Sequence, residues 1–381
     1  MSIRCARPGQ WLYLLGDEGV VYSHEQNRMA GLDSTGVAAY RAFDAGASIE
    51  DLNGLGLNRL NRGPGTDDVD SVNGLRAIHR LSCGIFPDEE VPEAWPAFDP
   101  SLCQVSSAAN FEIAGIPVLL ECPTGSLESL CRDYFRDCPE TTRQARSHLR
   151  AQHDESGWRI FANGREFFRI QHEQQLGLGL MHAARTLLYA EGDYDVAFHA
   201  AMVAEDDCGI LLCAPRECGK STLAAYLLAQ GFELLTDEPA LLHLDTSAVE
   251  SLRLPVSLKQ GSWQILEDSL PELTNAPVHI RSDGTKIRLV HPPEQRYSAS
   301  ARRLTQIVFP QYRSAAAAQI RSLSALHALW LLCDGGVTFA PRFSREDFER
   351  FLTLVCHTPA YQIEYSSLAE AHRMLREMLT Y

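Results

Sequence analysis

The chain contains 11 cysteines but no Cys-x-x-Cys pair, which removes the simplest zinc sites and thiol redox motifs from consideration. No apolar run approaches the roughly 20 residues that cross a bilayer as a helix. The opening Met1-Ser-Ile-Arg-Cys-Ala-Arg-Pro-Gly9 lacks the apolar segment of a signal peptide. Positive charge is scarce: 34 Lys and Arg face 49 Asp and Glu, for a formal net charge of −15. A phosphate backbone needs clustered Lys and Arg, so this balance argues against a nucleic-acid binder. Internal repeats are also missing. The expectation is a cytoplasmic protein with reduced thiols and neither a membrane nor a nucleic-acid partner. At 381 residues the chain is long enough for two or three domains with a substantial core.

What is present centres on Gly209-Ile-Leu-Leu-Cys-Ala-Pro-Arg-Glu-Cys-Gly-Lys-Ser-Thr222, followed by the apolar stretch Leu223 to Gln230 and Gly231. A buried strand enters a turn that opens directly into a helix. Backbone N–H groups at such a helix start converge on a polyphosphate, Lys220 reaches its outer phosphates, and the Ser221 hydroxyl can join a magnesium ion. The candidate phosphate-binding residues are Ala214, Pro215, Arg216, Glu217, Cys218, Gly219, Lys220, Ser221 and Thr222. Ala214 stands where the phosphate-loop pattern has its first glycine, and alanine tolerates most turn geometries except those with positive φ. Cys218 is either a small residue that fits the turn or an oxidisable thiol activated by the helix N-terminus.

After Gly231 comes Phe232-Glu-Leu-Leu-Thr-Asp-Glu-Pro239, a second short strand ending in an acidic pair. In a doubly wound sheet the carboxyl ends of strands face the ligand crevice, so Asp237 and Glu238 are expected beside the phosphates rather than in a merely solvated turn. One carboxylate can hold magnesium while the other takes a proton from an attacking hydroxyl. Upstream, Asp195 to Val203 reads as one strand and the Asp206-Asp207-Cys208-Gly209 turn leads on to the next. His199 inside that apolar segment is either a satisfied core histidine or part of the site.

The block from Phe198-His199 through Ala214–Thr222 to Leu235-Thr-Asp-Glu238 resembles the catalytic core of HPr kinase/phosphorylase and its relatives, whose core is similar to phosphoenolpyruvate carboxykinase. Leu258-Lys259-Gln-Gly-Ser-Trp263 and Ile307-Val-Phe-Pro-Gln-Tyr-Arg313 extend the resemblance. It implies Asp237 as general base toward a serine hydroxyl and His199 as the histidine assisting it. It also implies Glu238 as metal-binding or orienting carboxylate, Lys220 and Ser221 as phosphate and metal ligands, and self-association of unspecified number. The glycine-rich signature Glu-x-Arg-Gly-x-Gly of the bacterial HPr kinases is absent, which sets HPr itself and phosphorolysis apart from the kinase core.

Near the amino end, Trp11-Leu-Tyr-Leu-Leu15 and Gly19 to His24 read as a hairpin, Asp33 caps a helix running to Phe43, and Ser48 caps a shorter one. This winged-helix-like unit resembles PqqD-like peptide-recognition domains in Val20-Val21-Tyr22, Leu32-Asp33 and Asp44 to Leu52. Such domains pair a peptide with the edge of their hairpin; the alternative is a capping subdomain. Residues 61–105, rich in Gly, Pro, Asp and Glu, read as a linker.

Residues 106–195 read as a mixed α/β unit, with strands around Gly115, short helices over 127–135 and 140–150, and a hairpin turning at Asn163-Gly164. Leu176-Gly-Leu-Gly starts a helix rather than a dinucleotide loop. Residues 196–381 form the phosphate-loop domain, with a hairpin at Asp283-Gly284 and a final helix opened by the capping box Ser367-Leu-Ala-Glu370. Arg281, Lys286 and Arg288 of that hairpin either contact phosphates or decorate a solvated edge.

The whole is an α/β protein with a phosphate-loop core and a small winged-helix-like unit. The expected activity is transfer of the γ-phosphate of ATP, with Mg2+, to a serine of a precursor peptide or small protein. Two rivals stand beside it: a nucleotide-gated peptide-binding adaptor without kinase activity, and a small-metabolite kinase.

Overall fold

The computed structural model describes residues 2–7, 10–24, 26–32, 34–45, 107–154, 157–214, 218–281 and 283–379. Expectations for 46–106, among them the Ser48-capped helix and the linker, lie outside the described residues, as do Pro215, Arg216 and Glu217 of the loop. The fold is mixed α/β, with sheets of four, ten, three and five strands among the described residues. It divides into two compact units, one made of residues 1–92, 324–334 and 341–357 and the other of the rest.

In the first unit, strands Ser2–Arg7, Gln10–Leu15, Glu18–Ser23 and Arg28–Leu32 form an antiparallel meander in chain order, followed by helix Ser34–Asp44. The expected hairpin is its middle; the first and last strands went unread. The core of this unit is aromatic and borrows from the far end of the sequence. Tyr22 stacks on Phe348 with ring centroids 4.2 Å apart and an interplanar angle of 2°, and Tyr13 meets the same ring at 5.1 Å. Gly31 is glycine for a reason of space, since a Cβ there would sit 1.7 Å from Trp330 Nε1.

In the second unit, strands Ser107–Ile113, Ile116–Cys122, Ser147–Asp154, Gly157–Ala162 and Arg165–Ile170 make a five-stranded sheet covered by helix Leu176–Glu191. The helix expected over 140–150 is not formed: Ser147–Asp154 is a strand, parallel to Ile116–Cys122 and antiparallel to Gly157–Ala162. Pairing over 147–150 on one edge and 149–154 on the other gives its backbone groups partners along the whole strand and overrides a helical reading of a polar segment. The 127–135 expectation holds as helix Ser126–Arg132 plus one 3-10 turn over Asp133–Phe135.

The ten-stranded sheet sets up the chemistry. Ala200–Glu205 runs antiparallel to Cys208–Cys213 across the Asp206-Asp207 turn, and antiparallel on its other edge to Glu233–Thr236. Cys208–Cys213 and Glu233–Thr236 therefore point the same way, joined by helix Lys220–Ala229. That helix is apolar nearly all round and buried on more than one side. Leu223, Ala224, Leu227 and Leu228 share a core with Ile210, Leu212, Val308 and Ile363 of the sheet and Ala371, Met374 and Leu375 of helix Leu368–Leu379. The capping box opens this last helix reciprocally, Glu370 N donating to Ser367 Oγ at 3.3 Å and Ser367 N to Glu370 Oε2 at 3.1 Å.

Candidate functional site

Strand direction alone brings the predicted residues to one edge of the sheet. Cys208–Cys213 delivers Ala214 and, beyond the loop, Gly219 and Lys220 at its carboxyl end. Glu233–Thr236, parallel to it, delivers Asp237 and Glu238 at the same edge. Ala200–Glu205 runs the other way, so its amino end is there, and Ala200 pairs with Cys213. His199 immediately precedes Ala200. The single strand expected from Asp195 to Val203 is two, Val196–Phe198 and Ala200–Glu205, interrupted at His199. The first piece pairs with Ala240–His243 and Val337–Phe339, and His199 N donates to Gly336 O at 2.9 Å. This change of partners turns His199 toward the acids instead of into a core.

Gly219 takes φ +85°, a left-handed conformation that only glycine adopts freely, and starts helix Lys220–Ala229. Lys220 is 8% exposed and its Nζ donates to His199 O at 2.9 Å. Asp237 is 3% exposed. Its Oδ2 accepts the Ser257 N–H at 3.0 Å, while Oδ1 is buried with no hydrogen-bond partner. Burial pushes the Asp237 carboxyl above its ordinary range, only partly opposed by Lys220, the Ser257 N–H and the Ser221 hydroxyl. Thr222 Oγ1 lies 2.6 Å from Ser262 Oγ, which ties the helix start to the Leu258–Trp263 segment. Cys218 is half-buried.

Glu238 has a different environment. His199 Nδ1 lies 2.6 Å and Arg185 Nη1 3.0 Å from its Oε1. Burial alone would raise its carboxyl, but Arg185, His199 and Lys220 outweigh burial and hold it at about 2. The histidine thus contacts Glu238, where the resemblance pairs it with Asp237.

Arg185 is the site residue that sequence reasoning missed. It comes from helix Leu176–Glu191, donates from Nε to Tyr134 OH at 3.3 Å, and stands over the Tyr134 ring. A lone arginine in the apolar run Ala183-Ala-Arg-Thr-Leu-Leu188 was the available signal. Of the hairpin cations, Arg288 has a plainer role: it donates to Leu273 O at 2.9 Å and lies 4.2 Å over the Trp263 ring.

Among the described residues no group of three or more His, Cys, Asp and Glu could hold a metal unaided. A magnesium ion is commonly held by one or two carboxylates together with substrate phosphates. The ionised Glu238 carboxylate, with the Ser221 hydroxyl and Lys220 close to the same acidic pair, fits such a shared ion.

No protein-family model matches the chain, and no curated protein matches it. Among solved structures it is similar to the Hpr(Ser) kinase/phosphatase from Coxiella burnetii, at 11% identity over 48% of this chain and 97% of that one, with a TM-score of 0.24. A likeness at that score carries no argument. The functional reading rests on the residues. No helix among the described residues is long and apolar enough to cross a membrane.

Proposed function

We propose that the chain is a kinase that transfers the γ-phosphate of ATP, with magnesium, to a hydroxyl, the acceptor being a serine of a ribosomally made precursor peptide or small protein. The observation that supports this best is the meeting of Lys220, Asp237 with its unpaired oxygen, and the Glu238–His199–Arg185 cluster at one sheet edge.

Lys220 neutralises charge on the outer phosphates, and Ser221 with Glu238 would hold magnesium, which would supply positive charge to offset that of the phosphates. Asp237 accepts the proton of the acceptor hydroxyl. Its elevated pKa and free oxygen suit a base better than Glu238, which its cationic partners keep ionised. In the step the acceptor oxygen bonds to the γ-phosphorus, the bond from that phosphorus to the β–γ bridging oxygen breaks, and the hydroxyl proton passes to Asp237. His199 and Arg185 act through Glu238 by fixing its orientation. The amino-terminal meander would present the peptide by pairing it along a sheet edge.

The test is mass spectrometry of a candidate precursor peptide after incubation with the full chain, ATP and magnesium. A single added phosphate on a serine is expected, and Lys220→Ala abolishes it. Asp237→Asn should keep nucleotide binding and lose turnover, while Glu238→Gln should raise the magnesium requirement. Retained turnover in Lys220→Ala rejects the reading.

A further inference from the structure

Resting on the nucleotide reading above, a second question is where the nucleoside goes. The acids occupy one flank of the phosphate-loop strand, reached through Ala200–Glu205 and Glu233–Thr236. A triphosphate whose γ end lies on that flank sends its nucleoside elsewhere, and the opposite flank offers an aromatic shelf. There strand Arg302–Tyr312 runs parallel to Cys208–Cys213, with Leu212 beside Val308. Four more residues carry it past the end of its neighbour to Tyr312. The next strand, Ala360–Tyr365, is also parallel and ends level with it, Tyr312 beside Tyr365.

These two tyrosines differ in exposure. Tyr365 is 1% exposed and packs in the core beneath the phosphate-loop helix, whereas Tyr312 is 55% exposed. Their ring centroids lie 6.0 Å apart at an interplanar angle of 64°. The Tyr365 hydroxyl comes within 3.8 Å of the position a Cβ would take on Gly219, the residue that opens the helix. An aromatic ring is therefore kept in solvent at the carboxyl end of a parallel strand, buttressed by a buried one next to the phosphate site. Large apolar side chains exposed to this degree are few among the described residues, Ile265 on a short helix being another.

We propose that Tyr312 is the platform on which the base of the nucleotide stacks, with Tyr365 holding it in position. Stacking uses the π-face common to every base, so the platform strengthens nucleotide binding without selecting one purine over another. Tyr312 is a binding residue and takes no part in the transfer step.

The experiment measures dissociation constants of the full chain for Mg-ATP, Mg-GTP and magnesium tripolyphosphate by titration calorimetry, in the wild type, Tyr312→Ala and Tyr312→Phe. Stacking of one base supports a loss of roughly tenfold for both nucleotides in Tyr312→Ala. Tripolyphosphate affinity should stay the same, and Tyr312→Phe should match the wild type for all three ligands. Equal weakening of tripolyphosphate and ATP in Tyr312→Ala, or ATP affinity within twofold of wild type, overturns the platform. A wild type that binds tripolyphosphate as tightly as ATP overturns it too. Each of those results leaves the phosphate site standing, whereas a wild type that binds neither ligand removes the nucleotide reading and the platform together.

Discussion

Two of the carboxylate–histidine clusters among the described residues of the second unit are built on opposite plans. In one, His279 Nε2 lies 2.8 Å from Asp133 Oδ2, while His291 Nε2 and Nδ1 lie 3.3 Å from Asp133 Oδ1 and 2.6 Å from Asp137 Oδ2. Tyr297 OH donates to the same Asp137 oxygen at 2.8 Å. Both Asp133 oxygens are engaged, and although burial works against ionisation, the two histidines hold its carboxyl well below the usual range. A cleft of about 380 Å3 opens beside this cluster, yet its charges are already matched, Arg253 meeting Glu294 at 3.2 Å. In the other cluster Glu238 is similarly engaged, but Asp237 keeps a buried carboxylate oxygen without a hydrogen-bond partner. Burial of charge by itself therefore does not mark a site. Nor does an unpaired buried atom alone, since Glu121 Oε1 and His279 Nδ1 lack hydrogen-bond partners as well; Asp237 is singled out by carrying its unpaired oxygen close to Lys220 and Ser221 at the start of helix Lys220–Ala229.

The sharpest way to break this contrast is Asp133→Ala, which strands the buried His279 and leaves His291 with Asp137 alone, and should cost about 3–5 kcal/mol in chemical denaturation of the full chain. An unchanged midpoint would make that cluster something other than structural. Gly177→Ala attacks the same region through packing, since a Cβ there meets Leu130 O at 2.5 Å and the His279 ring at 3.1 Å. A loss of about 1–3 kcal/mol is expected. Asp237→Asn should have the opposite sign: it relieves an incompletely compensated buried charge, so stability stays level or rises by about 1 kcal/mol while turnover is lost. A large destabilisation would make Asp237 a structural acid.

The smallest effect is a difference in pH response. Asp133 and Glu238, with depressed pKa values, add stability above the ordinary carboxyl range, and it is lost as pH falls through their folded values, about 2 for Glu238. Asp237, with a raised pKa, costs stability above its folded value, and mild acidification relieves that cost. Melting temperature against pH should therefore fall more steeply on mild acidification in Asp237→Asn than in the wild type. Superimposable profiles would show that Asp237 carries no such burden.

Local signals were legible in the sequence because local physics decides them. The apolar run before the loop, Gly219 at the helix start, the acids after Thr236 and the Ser367–Glu370 box each specify their own backbone. What escaped depends on partners remote in sequence. Ser147–Asp154 is a strand because two neighbours pair with it, and nothing in its own residues outweighs a helical reading. His199 reaches Glu238 because the strand around it changes neighbours at that point. Arg185 enters the site from a helix most of whose apolar residues pack in the core. Phe348 and Trp330 belong with Tyr22 and Gly31 although some 300 positions separate them along the chain.

That last arrangement has a bearing on biosynthesis and on surgery. The meander at the amino end leaves the ribosome long before the helices that supply its aromatic filling, so it must wait, unfilled, for most of the polypeptide to be made. Cutting away the first 60 or so residues is likewise no clean excision, because Phe343 and Phe348 would lose the rings they were folded against.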